Sequence, residues 1–119
     1  MTLSVLLVED ETMIRMMIAD MVEELGHRVA AEAGDIRSAT ELARTATFDL
    51  AILDVNLQGV MSFPVAEILT ARQIPFIVAS GYGSNVNSDR HGQHLVLQKP
   101  FTIDTLHSAI AQTMQAQGR

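Results

Sequence analysis

The stretch Leu50-Ala51-Ile52-Leu53-Asp54-Val55-Asn56-Leu57 decides the fold. Four apolar residues run without alternation, and an acid ends them. Such a run is typical of a strand covered on both faces, as in a parallel sheet between helices. On its N-terminal side, Asp35 suits a helix cap, and Ile36, Ala39, Leu42, Ala43 and Ala46 recur on one helical face. Residues 29–33 make a weaker strand before that helix. Earlier still, Met13, Ile14, Met17, Ile18, Met21, Val22 and Leu25 repeat at helical spacing up to Gly26. The methionines of this stripe are expected to fill the core. Residues 3–8 are a first apolar strand.

The alternation continues on the C-terminal side. A helix starting near Ser62 tolerates Pro64 in its first turn and turns Val65, Ile68 and Leu69 inward. Pro75 opens the strand Phe76-Ile77-Val78-Ala79. Gly81-Tyr82-Gly83-Ser84-Asn85 reads as a loop, and the helix expected after it is poorly signalled. Leu95-Val96-Leu97 is a fifth strand. Thr102 caps a last helix carrying Ile103, Leu106, Ala109, Ile110 and Met114 on its inner face. Five strand–helix units predict an α/β fold, a doubly wound five-stranded parallel sheet with helices on both faces. Function belongs at the carboxyl ends of such strands.

The 119 residues fit one domain, 1–119, and 48% hydrophobic with 18% charged residues excludes disorder. No apolar stretch approaches the roughly 20 residues of a membrane helix. The first strand has no basic flank and is too short for a signal peptide, so a cytoplasmic protein without a membrane partner is expected. The absence of cysteine excludes disulfides, zinc thiolates and Cys nucleophiles. Eight basic residues against 14 acidic ones, a net charge of −6, argue against a nucleic-acid partner. Lys99 is the single lysine among seven arginines. Arg15, Arg28, Arg37 and Arg44 read as solvated faces, and His27, His91, His94 and His107 as ordinary surface histidines.

The strand ends deliver a coherent set. The first ends in Glu9-Asp10, the third in Asp54, the fourth in Ser80 and the fifth in Lys99-Pro100. Three carboxylates and one ammonium leave two negative charges, which one divalent ion neutralises. Oxygen ligands alone point to Mg²⁺, with Mn²⁺ as a substitute. Asp10, Asp54 and the backbone carbonyl of Asn56 are the expected ligands. Asp54 is then a nucleophile towards a phosphoryl group, with Lys99 balancing charge and Ser80 donating a hydrogen bond.

These residues resemble those of response-regulator receiver domains of bacterial two-component signalling, over essentially the whole chain. Val8-Glu9-Asp10-Glu11 resembles the acidic pair, Leu53-Asp54-Val55-Asn56-Leu57 with Gly59 the phospho-acceptor segment, and Lys99-Pro100-Phe101 the Lys-Pro-Phe turn. Ser80 falls at the Ser/Thr position. The resemblance implies the flavodoxin-like strand order 2-1-3-4-5, a cis bond before Pro100, and Glu9 acting on the metal through water. It implies phosphorelay signalling rather than enzymatic turnover of a substrate. The phosphate would come to Asp54 from a sensor histidine kinase or a histidine phosphotransfer protein and switch contacts with a downstream protein target.

Two positions depart from that pattern. Val96 stands where an aromatic switch residue is usual, and Gln58 where receivers usually have proline four residues after the acceptor. The run from Pro75 to Gly83 resembles the Phe-Ala-Thr-Gly-Tyr subgroup, which lacks the switch aromatic. That subgroup is often stand-alone, without an output domain, and is associated with kinases of the HWE type. Tyr82 then has two readings, a substitute movement or a static loop position. Ordering of the loop that begins at Gly81, on phosphorylation, is the expected switch. Two rival readings share parts of this pattern. A flavodoxin-like ligand-binding module needs a donor-rich phosphate loop where Glu9-Asp10-Glu11 stand. A Toprim-like metal-dependent phosphotransfer enzyme needs a second acid where Asn56 stands, and leaves Lys99 and Ser80 unexplained.

Overall fold

The computed structural model describes residues 2–81 and 95–117. Tyr82, most of the glycine-containing loop, the helix expected after it, His91 and His94 lie outside the described residues. Strands β1 (Ser4–Val8), β2 (Arg28–Ala33), β3 (Leu50–Asp54), β6 (Phe76–Ser80) and β7 (Val96–Gln98) form one parallel sheet in the order β2-β1-β3-β6-β7. Counting these five alone, the order is 2-1-3-4-5, as expected. Two short strands that sequence reading did not anticipate, β4 (Asn56–Leu57) and β5 (Val60–Met61), pair antiparallel as a hairpin directly after β3.

Helices α1 (Thr12–Glu24), α2 (Ile36–Thr45), α3 (Phe63–Ala71) and α4 (Ile103–Gln117) cover the sheet. Alternation along the strands divides the core in two. Leu6, Val8, Ala51, Leu53 and Val78 pack with Ala39 and Ala43 of α2 and Val65 and Leu69 of α3. Val5, Leu7, Leu50, Ile52 and Ile77 pack with Ile18 and Val22 of α1 and Leu106, Ala109 and Ile110 of α4. β1, β3 and β6 are buried along their whole length, which is why their sequences lack alternation.

The caps agree with the sequence. Asp35 accepts from the Ser38 amide at 2.7 Å, and Thr102 Oγ1 accepts from the Thr105 amide at 3.1 Å. Pro64 sits in the first turn of α3. No helix among the described residues is long and apolar enough to cross a membrane.

The methionine stripe of α1 corrects an expectation. Of the stripe's methionines, Met21 packs partly buried against the core as expected, but Met13 and Met17 are 78% and 52% exposed and do not fill it; Met16, off the stripe, is 60% exposed. At about 100° per residue, Ile14, Ile18, Val22 and Leu25 centre the inward face. Met17 falls about a quarter-turn to its side, and Met13 and Met16 fall further.

Candidate functional site

Parallel strands bring their carboxyl ends to one edge, and there the separated residues meet. Val8 of β1 pairs with Leu53 of β3, so Glu9 follows directly beside Asp54. Asp54 lies level with Ala79 of β6, and Ser80 with Gln98 of β7. Glu9 and Asp54 are almost fully buried, at 1% and 4% exposure. Carboxylate oxygens of Glu9, Asp10 and Asp54 lie within 4.8 Å of one another.

Lys99 reaches into this cluster. Its Nζ donates to Glu9 Oε1 at 2.9 Å and to Asp54 Oδ2 at 3.1 Å. The bond between Lys99 and Pro100 is cis, as the resemblance implied. The Lys99 amide also donates to the Ser80 carbonyl at 2.7 Å, which fastens the turn to β6. Ser80 is buried, and its hydroxyl makes a long contact of 3.4 Å with the Gly81 carbonyl. Val96 lies 38% exposed on the edge strand.

The electrostatics follow from burial. Burial pushes the Glu9 carboxyl up to about 7; the hydrogen bond from Lys99 opposes this, and the nearby Asp54 charge adds to it. Burial likewise raises Asp54, against the pull of Lys99. Burial lowers Lys99, but its hydrogen bond to Glu9 and the charges of Asp54 and Glu9 outweigh that, and its net shift is upward. One ammonium does not satisfy the acids. A hard divalent cation suits a cluster made of oxygen donors alone, and the residues present fit one.

The hairpin closes another side. Gln58 and Gly59, at φ 55° and 86°, form its turn, and Asn56 Oδ1 accepts from the Gly59 amide at 2.7 Å. The Asn56 amide lies 3.4 Å from Asp54 Oδ1, and the Gln58 amide donates to Asp10 Oδ2 at 2.9 Å.

Arg15 corrects a second expectation. It is not a solvated residue. Its Nη1 donates to the Glu9 carbonyl at 2.7 Å, and its Nε bonds Glu32 at 3.1 Å. Arg44 matches the solvated reading, with an exposed contact to Glu41 at 3.8 Å. His27 is more than ordinary surface, since its Nδ1 accepts from the Leu3 amide at 3.1 Å. Beside the acidic cluster, an apolar groove of about 270 Å³ runs between α1 and the turn after β7. Glu11, Ile14, Met17, Ile18, Met21, Gly81, Lys99, Pro100 and Phe101 line it.

Strand order, strand-end acids and lysine turn together match the receiver pattern that the sequence resembles. The model of the response regulator receiver domain matches residues 5–111, and the chain belongs to that family. It is 37% identical over 110 residues to the transcriptional regulatory protein PdtaR of Mycobacterium tuberculosis, covering 89% of this chain and 54% of that protein. The chain thus spans about half the length of that relative. Among solved structures, SdrG from Sphingomonas melonis Fr1 superposes with a TM-score of 0.84 at 40% identity, covering 93% of this chain and 95% of that one. The receiver domain of Erythrobacter litoralis PhyR superposes with a TM-score of 0.82 at 29% identity, covering 95% of this chain and 90% of the other. The family is that of bacterial two-component signalling, and neither the flavodoxin-like nor the Toprim-like reading is favoured.

Proposed function

We propose that Asp54 accepts a phosphoryl group, with Mg²⁺ bound beside it, from the phosphohistidine of a sensor kinase or phosphotransfer protein. The observation that carries this reading is the buried Asp54 carboxylate, bonded to Lys99 and grouped with Glu9 and Asp10. An Asp54 oxygen attacks phosphorus, the P–N bond breaks, and its electron pair returns to the donor imidazole. Asp10, Asp54 and the Asn56 carbonyl would hold the cation, with Glu9 acting through water; Mn²⁺ would replace Mg²⁺. The cation supplies positive charge to the transferred oxygens. Lys99 would balance a further negative charge, and Ser80 would turn its hydroxyl to a phosphoryl oxygen.

The donor is a protein, and the exposed Met13, Met16 and Met17 with the neighbouring groove give it an adaptable apolar surface beside the acceptor. The output is a change of protein contacts with a downstream target. HWE-type kinases, which the sequence resemblance suggests, are the first donors to try.

The test is phosphotransfer from a radiolabelled donor to the wild type and to Asp54→Asn. The expected product is an acid-stable, base-labile phosphate on the wild type alone. Undiminished labelling of Asp54→Asn would overturn the assignment.

A further inference from the structure

We propose that the backbone N–H of Gln58 is a positioning group for Asp10 and sets this chain's affinity for its divalent cation. The inference rests on the reading of Glu9, Asp10 and Asp54 as a magnesium site.

Gln58 stands where receivers usually carry proline, and the geometry gives that departure a physical meaning. Its amide donates to Asp10 Oδ2 at 2.9 Å, across 48 positions of sequence. Proline has no N–H, and its ring fixes φ near −65°, whereas Gln58 lies at 55°. Neither the donor nor the turn survives a proline here. The Gln58 side chain is exposed, so the contact with Asp10 is made by the backbone.

Asp10 needs such a partner. Unlike Glu9 and Asp54, it is only half-buried, and its Oδ2 is held by the hairpin turn rather than by Lys99. A charge-assisted bond to one oxygen fixes the plane of the carboxylate and leaves its other oxygen for the ion. The donor is itself well fixed, because Asn56 Oδ1 ties the Gly59 amide at 2.7 Å and Asn56 pairs with Met61. The same segment touches Asp54 through the Asn56 amide. One short turn therefore orients two of the three carboxylates. A left-handed backbone at a residue other than glycine persists only where its surroundings hold it, and the Asp10 bond is part of that hold.

Three variants separate the donor from the turn. Gln58→Gly keeps the N–H and accepts the positive φ freely. An α-hydroxy acid analogue of glutamine at position 58 puts an ester oxygen where the N–H stands, without locking φ. Gln58→Pro removes both donor and turn. Mg²⁺ is titrated into each, following the amide signals of Asp10, Asp54 and Asn56 by NMR, and the rise in melting temperature with Mg²⁺ gives a second readout. The expected result is wild-type affinity for Gln58→Gly and about tenfold weaker affinity for the ester and for Gln58→Pro. An ester variant that binds Mg²⁺ as well as the wild type, or more tightly, overturns the positioning role. Tighter binding would mean that the amide competes with the ion for Asp10. A wild-type protein whose signals do not move with Mg²⁺ overturns the magnesium reading itself, a different failure visible before any variant is made.

Discussion

Lys99 Nζ lies 2.9 Å from Glu9 Oε1, joining the end of the last strand to the end of the first across 90 positions of sequence. The partners are 12% and 1% exposed, so the ionised Glu9 depends on Lys99 in a medium that solvates charge poorly, while Lys99 keeps Asp54 as a second partner. Replacing Lys99 by Ala strands two buried carboxylates. Stability at pH 8 should fall by about 3 kcal/mol. The loss should shrink at pH 6, where Glu9 takes up a proton instead. Urea denaturation at the two pH values checks this, and an equal loss at both would contradict it.

Glu9 gives the metal-free protein an unusual pH dependence. Its carboxyl titrates near 7 in the folded protein, above the ordinary value of 4.5. The folded state therefore holds the proton more tightly than the unfolded chain. The stabilisation is complete below pH 4.5 and is lost as pH rises through 7, roughly 3 kcal/mol in all. Glu9→Gln should flatten this slope and melt higher than the wild type at pH 8, both in EDTA. Magnesium favours the ionised form, so it should raise the melting temperature more at pH 8 than at pH 5.

Arg15 and Gly34 are coupled by contact. A Cβ at position 34 would lie 2.7 Å from Arg15 Nη1, the atom that bonds the Glu9 carbonyl. Gly34→Ala should push the guanidinium aside and cost about 1 kcal/mol. Arg15→Ala should cost a similar amount, and the double variant no more than about either alone. Additive losses in a double-mutant cycle would show that the two positions act separately.

The exposed methionines of α1 should separate binding from stability. Replacing Met13, Met16 and Met17 together by Gln changes solvated positions, so the folding free energy should move by no more than about 1 kcal/mol. Phosphotransfer from a protein donor should slow at least severalfold, while binding of beryllofluoride at Asp54 stays unchanged. A full transfer rate would place the donor on another surface.

The sheet and its site edge were legible in the sequence because they rest on local signals. Unbroken apolar runs such as Leu50-Ala51-Ile52-Leu53 occur where helices cover both faces of a strand. Parallel pairing then obliges Glu9, Asp10, Asp54, Ser80 and Lys99 to share one edge. The caps Asp35 and Thr102 were legible for the same reason, since each acts on a backbone three residues away.

The tertiary structure decided what local pattern does not encode. The helical repeat of α1 marked its methionines as apolar, but only packing against the sheet decided that Met21 turns inward while Met13 and Met17 stay outside. Arg15 carried no signal of its partner, because the Glu9 carbonyl is a backbone atom brought near by the turn of the chain. Gln58 was visible as a departure, and its contact with Asp10 was not. A main-chain N–H is the same in nearly every residue, and its partner is chosen by the path of the folded chain.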